Sequence, residues 1–134
     1  MTIKSIFAAT AIGAAALVAA MHGAHGAAPA DDAPQALQPP PAFAQCKACH
    51  SVAKGGPSGV GPNLFGVVGA PAAAKPSYAY SPALKGSKIR WDRATLDAYL
   101  GDPKGRVPGN KMAIPGIKDA AKRKEIVDYL AKLK

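Results

Sequence analysis

The stretch Cys46-Lys47-Ala48-Cys49-His50 decides how this chain is read. Two cysteines stand three apart, and a histidine follows the second. Such a pattern serves a redox dithiol, half of a zinc site, or an attachment point for something larger. A thioredoxin-like dithiol sits beside a βαβ unit, and no parallel-strand pattern surrounds this pair. A structural zinc site needs four ligands, and no second Cys or His pair follows. A plain disulfide suits an exported protein but leaves His50 without a role.

Export itself is legible upstream. The chain has 134 residues, which bounds it to one domain. It opens with Lys4, an uncharged apolar run from Ile6 to Ala20, and then small residues. That is the layout of a secretory signal, and the alanine-rich run is short for a retained membrane anchor. Cleavage after Gly26 places Ala24 and Gly26 at the small-residue positions, with further sites near residues 28–30. The expected organisation is therefore a signal over 1–26, a flexible lead-in over 27–40 and one domain over 41–134. The exported protein is expected in the periplasm.

Removing the signal thins the inventory. His22, His25, Met1 and Met21 go with it, leaving Cys46, Cys49, His50 and Met112 as the ligand-bearing set. The formal charge of +9 falls only to +8, because Lys4 is the single charge removed. Such a basic excess favours acidic partners, and export argues against nucleic acid. Aromatic residues make up 6% of the chain, beside 14 Gly and 13 Pro. A mature domain of about 105 residues with so few large apolar side chains makes a thin core unless something else fills it.

The periodicity predicts an all-α, loop-rich domain of three to five short helices. Pro41 can open a helix reaching His50. The Gly/Pro run from Lys54 to Pro62 excludes regular structure, and residues 63–76 stay irregular, with Leu64, Val67 and Val68 turned to the core. Ser81 caps a turn that Pro82 starts and Gly86 stops. Asp92 caps a helix carrying Leu96, Tyr99 and Leu100, which Gly101 and Pro103 end. Residues 102–116 read as a second loop. Asp119 caps the last helix, with Ile126, Tyr129, Leu130 and Leu133 on one stripe and Lys122, Arg123 and Lys132 outside it.

Covalent haem fits the opening motif better than its rivals, since C-x-x-C-H is the attachment signature of c-type haem. Helical positions three and four apart share a face, so Cys46 and Cys49 can reach one macrocycle and His50 can come under its iron. A carbonyl near Pro62 is expected to accept the other ring nitrogen's hydrogen. Met112 is either a gap-filler in the core or the second iron ligand. It stands in a Pro-Gly turn rather than on a helical stripe, and a thioether suits ferrous iron.

The blocks Cys46-Lys-Ala-Cys-His50, Gly61-Pro62-Asn63-Leu64, Tyr78-Ala-Tyr80, Trp91, Tyr99-Leu100 with Pro103, and Pro108-Gly-Asn-Lys-Met112 together resemble the class I c-type cytochromes. The resemblance covers Pro41 to the end. It implies a small helical shell around one covalent haem c, with Tyr80 and Trp91 on a buried propionate. It also implies Tyr99 near the Met112 sulfur and Asn110 supporting the ligand loop. Three positions depart from the pattern. Ala70 stands where such proteins often place an arginine near a propionate, so that group is either less neutralised or served by another base. Ile114 replaces a frequent phenylalanine. The first helix lacks the glycine of its crossing with the last and is expected to be short.

A haem with His50 and Met112 on iron leaves no place for substrate. The expected function is a mobile carrier of single electrons, monomeric and not an enzyme. It would run from a quinol-oxidising complex or a dehydrogenase to a terminal oxidase or another reductase. Lys47, Lys54, Lys104 and Lys111, extended by Lys75, Lys85, Lys88 and Lys118, would dock on acidic faces of those partners. The alternative is a haem peroxidase or gas binder in which Met112 is absent from iron.

Overall fold

The structure, a computed structural model, describes residues 37–134. The expected signal over 1–26, and the lead-in as far as residue 36, lie outside the described residues. Pro40 is extended and hands the chain to a 3-10 turn, Pro41–Phe43, followed by α1, Ala44–Lys47. The helix expected to reach His50 thus stops at Lys47. The N–H groups of Cys49 and His50 both turn back to the Cys46 carbonyl, at 3.1 and 2.9 Å. That shared acceptor tightens the chain just where the cysteines stand.

The later helices start where side chains satisfy orphan amides. Ser81 Oγ accepts from Leu84 N–H at 3.1 Å and opens α2, Pro82–Gly86. Asp92 accepts from Thr95 N–H at 2.7 Å and opens α3, Arg93–Gly101. Asp119 accepts from Ala121 and Lys122 N–H and opens α5, Ala120–Lys132. Between α3 and α5 lies an element that the sequence reading assigned to loop: α4, Pro103–Arg106, with Asp102 accepting from Gly105 N–H at 3.0 Å. A helix of four residues carrying Gly105 has little propensity of its own, so periodicity does not report it.

The core forms where α3 crosses α5. Leu96, Tyr99 and Leu100 meet Ile126, Val127, Tyr129 and Leu130, all buried. Phe43, fully buried, puts its ring 4.9 Å from that of Tyr129, so the short first segment reaches α5 through one aromatic side chain. Burying such a side chain contributes roughly 1.5–3 kcal/mol. Arg123 fastens the crossing from the side. Its Nε donates to Asp97 at 2.8 Å, and one terminal nitrogen reaches the carbonyls of Ile117 and Lys118, each at 2.9 Å. Placed outside the apolar stripe by sequence, Arg123 is a half-buried tie between α3, α5 and the segment before α5.

No strand occurs among the described residues. A single antiparallel bridge joins Pro71 to Arg90. It is flanked by Gly69 N–H to Trp91 O at 2.8 Å and Trp91 N–H to Ala70 O at 2.9 Å. These bonds set the buried Trp91 against Tyr99, ring centres 4.9 Å apart. The fold is mostly helical, and its loops are folded around a cavity beside the core.

Candidate functional site

The cavity, of about 280 Å³, is bordered by all nine side chains singled out from sequence: Cys46, Cys49, His50, Pro62, Tyr80, Trp91, Tyr99, Asn110 and Met112. They come from five separate segments of the chain. Most of the remaining lining is apolar, with Leu64, Val67, Leu96, Leu100 and Ile114 among it. Ile114 also packs against the hydrophobic core.

His50 is the most constrained of the nine. Its Nδ1–H donates to the Pro62 carbonyl at 2.7 Å, which fixes the tautomer and leaves Nε2 as the nitrogen with a free lone pair. Gly61 lies flat against the ring. A methyl at that position would stand 2.6 Å from Nδ1 and 2.8 Å from Nε2. Only hydrogen fits there, so imidazole and backbone are locked together. Asn63, buried and given no role by the sequence reading, organises the same loop. Its Nδ2 donates to the carbonyls of Ala53 and Gly56, at 2.9 and 2.8 Å, and its Oδ1 accepts from Phe65 N–H at 2.7 Å. An asparagine following Gly-Pro in a Gly-rich loop was the available signal.

Met112 is held by its neighbour. Asn110 Nδ2 donates to Pro103 O and Val107 O, both at 2.8 Å, and Asn110 Oδ1 accepts from Met112 N–H at 2.8 Å. One side chain thereby ties the loop to both ends of α4. Tyr80 Oη accepts from Lys75 N–H at 3.4 Å, which leaves its own hydrogen to donate. Burial raises the Tyr80 hydroxyl above its ordinary range and pushes that of Tyr99 up to about 12, with Tyr78 adding to the latter. Both therefore stay protonated donors at neutral pH.

The rival chemistries fit poorly. Cys46 and Cys49 are not joined. Burial, and then the neighbouring Cys49, push the Cys46 thiol up to about 11, whereas a redox dithiol works through a low-pKa thiolate. Among the described residues no three of His, Cys, Asp and Glu gather as a zinc site would require. The residues do fit a haem: two thiols and a locked imidazole on one segment, a thioether on another, and an apolar wall between donors.

Lys75, expected in the exposed ring, is corrected by the structure. It is half-buried, and its Nζ donates to Phe65 O at 2.7 Å. Lys47, Lys54, Lys85, Lys88, Lys104, Lys111 and Lys118 are exposed. No helix among the described residues is long and apolar enough to cross a membrane.

The Cytochrome c family matches residues 41–134. Cytochrome c2 iso-2 of Magnetospirillum fulvum is 47% identical over 94 residues, covering 70% of this chain and 97% of that protein. Cytochrome c2 of Rhodomicrobium vannielii is 46% identical, covering 66% and 71%. The solved structure of cytochrome cH from Methylobacterium extorquens superposes with a TM-score of 0.63 at 52% identity, over 67% of this chain and 90% of that one. With identity of this order spread over nearly the whole of a cytochrome c2, the chain belongs to the cytochrome c family, carries haem c covalently through its Cys46–Cys49 motif, and works as a single-haem electron carrier rather than an enzyme.

Proposed function

We propose that His50 and Met112 are the two side chains that would hold the haem iron. The protein then shuttles electrons outside the cytoplasmic membrane, from a quinol-oxidising complex or a dehydrogenase to a terminal oxidase or another reductase. One observation carries the reading: nine side chains chosen from sequence, scattered over residues 46–112, border a single cavity. Haem c supplies an iron that gains and loses one electron.

The chain's residues do the rest. The Pro62 carbonyl would orient His50 by holding its Nδ1–H, so that Nε2 is the nitrogen turned to the iron. Met112 contributes a soft thioether that favours ferrous iron and raises the potential. Tyr80 and Trp91 offer donors to a propionate, Tyr99 lies by the methionine, and Asn110 holds the loop that presents it. With both side chains on the iron, small ligands would be kept from it. The signal layout expected over residues 1–26 supports export to the periplasm, and the seven exposed lysines support docking on acidic faces of redox partners.

The test is the visible spectrum of the reduced, exported protein with and without carbon monoxide. The expected result is a c-type spectrum unmoved by the gas. A spectrum that shifts removes Met112 from iron and favours a peroxidase or gas binder. No haem spectrum, in a host able to attach the group, overturns the reading.

A further inference from the structure

The cavity lining contains no Asp or Glu, yet it includes Lys75 and Lys111. A carboxylate-free cavity bordered by cations suits an anion. The two lysines are not equivalent. Lys111 is exposed, its Nζ resting on Ala79 O at 3.0 Å. Lys75 is half-buried, and its Nζ has only the neutral Phe65 carbonyl, at 2.7 Å, among the described residues. None of the ion pairs among those residues includes it. Its backbone N–H bonds the hydroxyl of Tyr80, another cavity residue. An ammonium carries three hydrogens, and withdrawing it from water costs free energy unless an anion answers it. Ala70 lines the same cavity and brings a methyl but no charge.

We infer that Lys75 is the cationic partner of a haem propionate, with the Tyr80 hydroxyl as the adjacent donor. The inference rests on the haem lying in this cleft, as proposed above. Lys75 supplies from the 71–80 segment the base that position 70 lacks. Phe65 O holds the ammonium in place without neutralising it, so its charge stays available to the carboxylate. The other titratable groups that line the cavity are Cys46, Cys49, His50, Tyr78, Tyr80, Tyr99 and Lys111, and none of them is a fixed anion.

The experiment follows the reduction potential of the holoprotein against pH for the wild type, Lys75→Gln, Lys75→Arg and, as an exposed control outside the cavity lining, Lys132→Gln. Without the lysine charge a propionate holds its proton more tightly, and a protonated propionate disfavours ferric iron, so the potential climbs as pH falls. The expected result is an acid-side inflection displaced upward by about 1–3 pH units in K75Q, with K75R and K132Q on the wild-type curve. A K75Q curve lying on the wild type overturns the assignment, as does a K75R curve displaced as far as K75Q. The wild-type holoprotein gives a second reading that does not depend on a variant folding. Paired Lys75 reacts with acetic anhydride more slowly than exposed Lys47, and equal rates overturn the pairing. Loss of the haem spectrum in the wild type would instead strike the parent reading, and that spectrum is recorded first.

Discussion

Gly61 and His50 meet with no room between them, and the contact is a sharp probe of the site. Gly61→Ala forces the imidazole or the loop to move, and overpacking of this kind costs about 1–3 kcal/mol. Denaturant titration of the holoprotein checks it. Gly86→Ala is the control, since a methyl there meets nothing within 4 Å, and it is expected to change stability by about 0.5 kcal/mol or less. At this scale the ligand-bearing residues were legible because their types are rare: once the signal expected over 1–26 is set aside, one histidine, one methionine and two cysteines remain. Lys75 and Arg123 were not legible. A lysine or arginine in a basic chain reads as solvated surface, and only the tertiary positions of Phe65 O and Asp97 turn these two inward. Asn63 lies between: its Gly61-Pro62-Asn63-Leu64 block is legible, but its task depends on the Ala53 and Gly56 carbonyls that only the folded loop brings to it.

Caps explain which helices sequence could find. Ser81, Asp92 and Asp119 each bond an amide two or three residues on, so the signal is local and readable. The single turn of α4 has no such independence: Asp102 caps it, but Asn110 closes it from beyond its end. The Asp92 cap carries a pH signature. Thr95 N–H, with lesser help from the Thr95 side chain and Ala94, holds the Asp92 carboxyl below its ordinary range. A depressed folded value means that the stabilisation is present above the unfolded value of about 3.9 and is lost as pH falls through the lower folded one. In acid titrations followed by circular dichroism, Asp92→Ala is therefore expected to be less stable than wild type at neutral pH. The two are expected to converge in strong acid. A gap that persists unchanged at the lowest pH would mean that the carboxylate charge contributes nothing to the cap.

Charge belongs to the whole molecule. In the docking proposed above, the net charge of +9, or +8 without the expected signal, and the seven exposed lysines would produce a field that steers encounter with acidic partners. Salt screens exposed charges beyond about 8 Å at physiological ionic strength. The second-order rate of electron transfer to an acidic redox partner should fall steeply as salt is added, measured by stopped flow across a salt series. A rate that ignores salt would remove electrostatic docking from the account.

The Asn110 clasp has one further consequence. Its three bonds run to backbone atoms of residues 103, 107 and 112, and none of them passes through the thioether. In the proposed ligation the methionine is therefore a pendant on a fastened strap. Should the sulfur let go, its hinge stays where it was, and the way back is a rotation about a few single bonds rather than a search by an unravelled loop. In that ligation the clasp would make the Met112 attachment behave as a self-closing latch.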